Sequence, residues 1–146
     1  MFDTLLRRLL APGPAPLPAP EAHLALAALL VRVARADGHY HDAETRRIDA
    51  ALTGLYGLSP FAAAALRAEA EVLETEAPDT VRFTRALKEA VPLEDRAALV
   101  QALWSVALAD GARSDDEDQM LRLVANLLGL TDRDSALARQ RADRRA

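Results

Sequence analysis

An all-α fold of about seven helices, built around an internally repeated helix-turn-helix unit, is predicted by three observations. First, Ala36-Asp37-Gly38 is followed by Glu44 seven residues after the Asp, and the second half of the chain repeats this as Ala109-Asp110-Gly111 with Glu117. Second, the flanks repeat: LLVRVARA and ALWSVALA lead into the two copies, and LTGLYGLS and VANLLGLT lead out. Third, the chain is 51% hydrophobic but only 4% aromatic, with alanine and leucine dominant, a composition that favours helices over strands. No stretch reads as a strand. The 146 residues suit one domain with a proper core.

Taken in order, residues 1–10 (MFDTLLRRLL) form a short amphipathic helix with Phe2, Leu5, Leu6, Leu9 and Leu10 on or near one side. It is too short and too charged for a membrane span or a secretory signal. It either docks on its own domain or serves as a membrane-surface or partner-docking helix. Residues 11–20 (APGPAPLPAP) hold five of the eight prolines and make a semi-rigid, extended linker. The helical domain proper is expected over residues 21–143.

The first domain helix runs from Glu21 to about Ala36, and Gly38 is suited to end it in a left-handed conformation. The second covers about Asp42 to Tyr56 and stops at Gly57. Ser59-Pro60 supplies an N-cap and a first-turn proline for the third, through about Glu76. Pro78-Asp79 separates it from a shorter helix over about Thr80 to Val91, in which Phe83, Leu87 and Val91 share a face. Pro92 ends that element. The second copy then begins with Leu93 to about Ala109, continues from about Asp115 to Leu128, and stops at Gly129. Thr131 caps a last helix through about Ala142, with acids in its first turn and arginines toward its end.

Helical periodicity also places the acids of the motif. Leu26, Leu30, Val33 and Asp37 fall on one stripe, as do Leu99, Leu103, Val106 and Asp110. Glu44 opens the stripe Glu44, Ile48, Ala51, Leu55, and Glu117 opens Glu117, Leu121, Val124, Leu128. All four acids therefore sit at helix ends on core-facing stripes. If the repeat brings the two turns together, they converge.

Two readings of that convergence stand. Carboxylates about 4 Å apart repel by roughly 4 kcal/mol at an effective dielectric near 20, against a whole-domain stability of about 5–15 kcal/mol. A hard divalent cation, Ca²⁺, Mg²⁺ or Mn²⁺, relieves this with all-oxygen ligands from Asp37, Glu44, Asp110 and Glu117. Alternatively the motif is structural: Ser114-Asp115-Asp116-Glu117 is a capping box, and arginine at 35, 47, 113 or 122 neutralises the acids without metal. The first copy fits capping less well, because His41 is a weaker N-cap than serine. The spacing is not that of an EF-hand, whose earlier ligand positions are held here by Val33 and Arg35, and by Val106 and Leu108.

His39 and His41 could draw a transition metal, but the second copy has Ala112 and Ser114 there, so solvated turn histidines are expected. His23 has no evident partner and is placed on the surface. Trp104 is read as core. A net charge of −4 and a pI near 5.4 argue against nucleic acid as a partner. With no cysteine, no glycine-rich phosphate loop and no Glu-x-x-His pair, an enzyme is the weaker class.

These features, a helix ending in Ala-Asp-Gly, Glu seven residues after the Asp, and a second helix closing on Gly-Leu-Ser or Gly-Leu-Thr, given twice, resemble the tellurite-resistance TerB family. The resemblance spans about Glu21 to Ala142, and the fold is also found as the N-terminal domain of a membrane-anchored DnaJ-type co-chaperone. It implies an all-α, pseudo-twofold domain with a divalent-cation site at Asp37, Glu44, Asp110 and Glu117. It further implies a cytoplasmic protein acting with a protein partner, membrane-associated in some members, in metal or stress responses. The proline linker and leading helix depart from the family pattern. The alternative is a metal-free protein-interaction module on the same fold.

Overall fold

In a computed structural model, which describes residues 5–7, 9, 19–36, 38–76, 80–109 and 115–145, the chain from Ala19 onward forms seven helices. They are α1 (Ala19–Ala34), α2 (Asp42–Tyr56), α3 (Pro60–Glu76), α4 (Thr80–Ala90), α5 (Leu93–Ala107), α6 (Asp115–Leu127) and α7 (Asp132–Arg145). No strand occurs among the described residues. The expected boundaries hold to within about three residues at every end.

The helix ends follow from the predicted punctuation. Gly57 and Gly129 both take positive φ, 65° and 87°. The Gly57 N–H returns to the Thr53 carbonyl at 2.9 Å, and the Leu130 N–H to the Ala125 carbonyl at 2.9 Å, each satisfying a carbonyl the helix would otherwise orphan. At the starts, Ser59 Oγ accepts the Ala62 N–H at 3.1 Å. Thr131 and Asp134 form a reciprocal box, Asp134 N–H to Thr131 Oγ1 and Thr131 N–H to Asp134 Oδ2, both 3.1 Å. The Thr131 backbone N–H, and then its hydroxyl, hold the Asp134 carboxyl below the usual carboxylate range. Arg96 gathers the ends of two helices, donating to the carbonyls of Lys88, Val91 and Leu128 at 2.8, 3.0 and 3.1 Å.

The core is organised around α1. Every residue from Leu24 to Val31 is fully buried, because α2, α3, α4, α5 and α6 all pack against it. A helix apolar on all sides has no face to give to solvent, and LALAALLV has none. α5 is the second central element, with Leu99, Val100, Leu103, Trp104 and Val106 buried. The most extensive pairs are α1 with α3 and α5 with α7, so the repeat observed is one of three helices, α1–α3 and α5–α7, linked by α4. Leu5 and Leu9 are buried in the same core, ahead of the segment that carries the linker. Trp104 is core as expected, its Nε1–H donating to the buried Ser135 Oγ at 3.1 Å.

His23 departs from expectation. It is half-buried rather than on the surface and stacks on Tyr56, ring centroids 3.5 Å apart and planes 16° apart. Tyr56 lies four positions past Leu52 on α2, outside any window that sequence periodicity could have linked to His23. Burial lowers the His23 pKa from 6.5 and pushes Tyr56 up to about 12. A folded state that disfavours the imidazolium binds fewer protons than the unfolded chain, so the stability contributed by neutral His23 is present above pH 6.5 and is lost as pH falls below it. An NMR titration of the His23 ring is expected to give a midpoint below 6.5. His23→Gln is expected to flatten the dependence of Tm on pH just below that value.

Candidate functional site

The first acidic turn is built by the end of α1 and the start of α2. After Ala34 the chain tightens, with the Ala36 N–H on the Val33 carbonyl at 3.1 Å and the Gly38 N–H on the Arg35 carbonyl at 3.0 Å. Gly38 takes φ 82°, the left-handed turn that glycine adopts without a Cβ penalty. His41 then occupies the N-cap in extended backbone conformation.

Of the four acids expected to converge, Glu44 is the one whose side chain is described. Asp37 and Asp110 lie outside the described residues, as does the turn at 111–114, and Glu117 lies on α6 with its side chain outside them. Glu44 is 1% exposed, as its place on the Ile48 stripe requires. Its Oε1 accepts the His41 backbone N–H at 3.1 Å. Capping is therefore present in the first copy despite the weak N-cap side chain, because this half of the box needs only a backbone N–H, which histidine supplies as well as serine.

The two halves of the repeat meet at this end of the molecule. Arg47, one turn past Glu44, places Nη1 3.4 Å from Ser105 Oγ in the last turn of α5. The start of α2 is thereby held beside the helix end that leads to Asp110. An open cleft of about 570 Å³ runs along the two helices at this contact, lined among others by Ala51, Gly54, Ala98 and Gln101.

Arginine chemistry anchors the turn from the other side. Arg35 reaches α3, with Nη1 3.0 Å from Glu74 Oε1 and 3.3 Å from the Glu71 carbonyl, and lies over the Tyr40 ring at 4.9 Å. Arg32 Nε meets the other Glu74 oxygen at 3.4 Å and stands 5.0 Å from the Phe83 ring centre. Arg67 joins Asp49 of α2 at 2.6 Å to Glu71 at 3.2 Å. Burial, then the Glu71 carboxylate beside it, pushes the Tyr40 hydroxyl well above its ordinary value. Of the arginines expected over the acids, Arg35 and Arg47 thus bridge to α3 and α5, Arg122 is exposed on α6, and Arg113 lies outside the described residues. Glu74 and Tyr40 were not anticipated: Glu74 is 39 residues from Arg35, and one sequence carries no signal of that pairing.

His39 and His41 are exposed at the turn, ring centroids 5.8 Å apart. Among the described residues no three His, Asp or Glu side chains gather as a metal would require. The donor set at the two turns, carboxylates with no thiol in the chain, suits a hard cation by its chemistry. No described helix is long and apolar enough to cross a membrane. A family model described as tellurite resistance protein TerB matches residues 23–140. No curated protein and no solved structure matches the chain.

Proposed function

The chain belongs to the TerB family, and from that premise we propose that it is a cytoplasmic binding module, not an enzyme, whose duplicated acidic turns take one divalent cation. Asp37 and Asp110 would approach from the ends of α1 and α5, and Glu44 and Glu117 from the starts of α2 and α6. Bound there, Ca²⁺, Mg²⁺ or Mn²⁺ would offset the mutual repulsion of four carboxylates brought to one place. The protein would present that ion-dependent surface to a protein partner, membrane-associated or not, in a metal or stress response. The observation that carries the reading is the Arg47–Ser105 contact, which holds the Glu44 end of α2 against the helix end that precedes Asp110.

The second reading, a metal-free interaction module, is favoured by the bond from the His41 N–H to Glu44, which gives one acid a structural task. Thermal unfolding in chelator and in millimolar Ca²⁺, Mg²⁺, Mn²⁺ or Zn²⁺ separates the two. An ion at about 100 times its dissociation constant adds roughly 2.7 kcal/mol, or about 5–10 °C in a domain of this size. We expect that gain in the native chain and its loss in Asp37→Asn/Asp110→Asn. No gain with any ion, and a double variant at least as stable as the native protein, would leave the metal-free module.

A further inference from the structure

The third helix wears its polarity inside out. Of its five charged residues, Arg67, Glu71 and Glu74 are partly buried, Arg67 bonded to Asp49 and Glu71, and Glu74 to Arg32 and Arg35, while Glu76 is exposed at the helix end. Between Phe61 and Val72 its exposed face is instead Phe61, Ala65, Ala68 and Val72. Phe61 is 85% exposed and Val72 54%. Scattered apolar residues on a surface need no explanation, but these four fall at i, i+4, i+7 and i+11 and make one continuous stripe over three turns.

We propose that a second copy of this chain covers the stripe, α3 against α3 and antiparallel, about a twofold axis between Ala65 and Ala68. A twofold interface places the same patch on both copies, so the pattern must read alike in both directions. It does: the spacing is four, three, four, and the sizes run large, small, small, large. Phe61 then meets Val72 of the second copy at each end, and the alanines let the helices approach closely at the centre. Charge selects the direction. Antiparallel pairing brings the exposed Glu76 toward the N-terminus of the opposing α3, where the helix dipole favours an anion, whereas parallel pairing sets Glu76 beside Glu76. Area sets the strength. Two phenyl rings contribute roughly 300–500 Å², and with the valines and alanines the pair still falls short of the ~1,200 Å² of stable complexes, so the dimer is weak and reversible. This inference is independent of the acidic turns.

Sedimentation of the full chain from about 5 μM to about 500 μM tests it. The average mass is expected to rise from 15.8 kDa toward twice that value, while Phe61→Glu stays monomeric with an unchanged circular dichroism spectrum. Because the chain has no cysteine, Phe61→Cys and Val72→Cys report the geometry. Oxidising their equimolar mixture is expected to yield a cross-linked dimer that neither variant forms efficiently alone. A native chain at 15.8 kDa throughout, a dimer that survives Phe61→Glu, or preferential cross-linking of Phe61→Cys to itself would each overturn the proposal. The first of these would give the stripe to a different protein.

Discussion

Leu30→Ala is expected to cost about 3–5 kcal/mol, a large part of the ~5–15 kcal/mol that holds a domain of this size together. Leu30 is fully buried on α1, the helix that five others pack against. Truncating it removes apolar area from the core and leaves a cavity that neighbours on several helices cannot close at once. Urea denaturation is expected to show a lower midpoint with an unchanged slope, since the extent of unfolding is the same. The same truncation at Leu123, 48% exposed on α6, is expected to stay within about 0.5 kcal/mol. A similar cost at both positions would refute the central placement of α1.

Glu74→Gln is the second large effect. The Glu74 carboxylate lies between Arg32 and Arg35, at 3.4 and 3.0 Å, and the three side chains are 15%, 13% and 32% exposed. Removing its charge leaves two guanidiniums facing a neutral amide. A fully buried pair broken in this way costs about 3–5 kcal/mol; partial solvent screening here lowers the expectation to roughly 1–3 kcal/mol. Glu76→Gln, on the exposed end of the same helix, is the control and is expected to be nearly neutral. Glu74 also holds Arg35, the residue that leads into the acidic turn and lies over Tyr40. If that turn takes a cation, Glu74→Gln is further expected to shrink the ion-dependent rise in Tm, a readout that loss of global stability alone does not produce.

The helices were legible in the sequence because their signals are local. Gly57, Gly129, Ser59 and Thr131 each act within one turn of their own position, and each ends or starts a helix where expected. Membership in the TerB family was legible too, since the repeated motif is contiguous in each copy. The stripes ending in Asp37 and starting at Glu44 are likewise a matter of period, and the burial of Ile48, Val33 and Glu44 follows it. The capping role of Glu44 is not legible from the identity of residue 41, because the bond uses the His41 backbone and not its side chain. The half-buried position of His23 is not legible in the sequence, because its stacking partner, Tyr56, comes from another helix.

By itself, then, the sequence determined which segments are helical, where they stop, that the chain carries a repeat, and which family it joins. Those properties rest on backbone propensity, caps and periodicity, all of which act over a few residues. Tertiary structure alone decided that α1 and α5 are the central pair, that Arg47 brings α2 to the end of α5, and that Glu74 clamps two arginines of α1. It also decided that α3 turns Arg67, Glu71 and Glu74 toward its neighbours and leaves the stripe from Phe61 to Val72 outside. An amphipathic pattern specifies that a helix has a face to bury but not which neighbour covers it; that choice is settled by packing among helices distant in the chain.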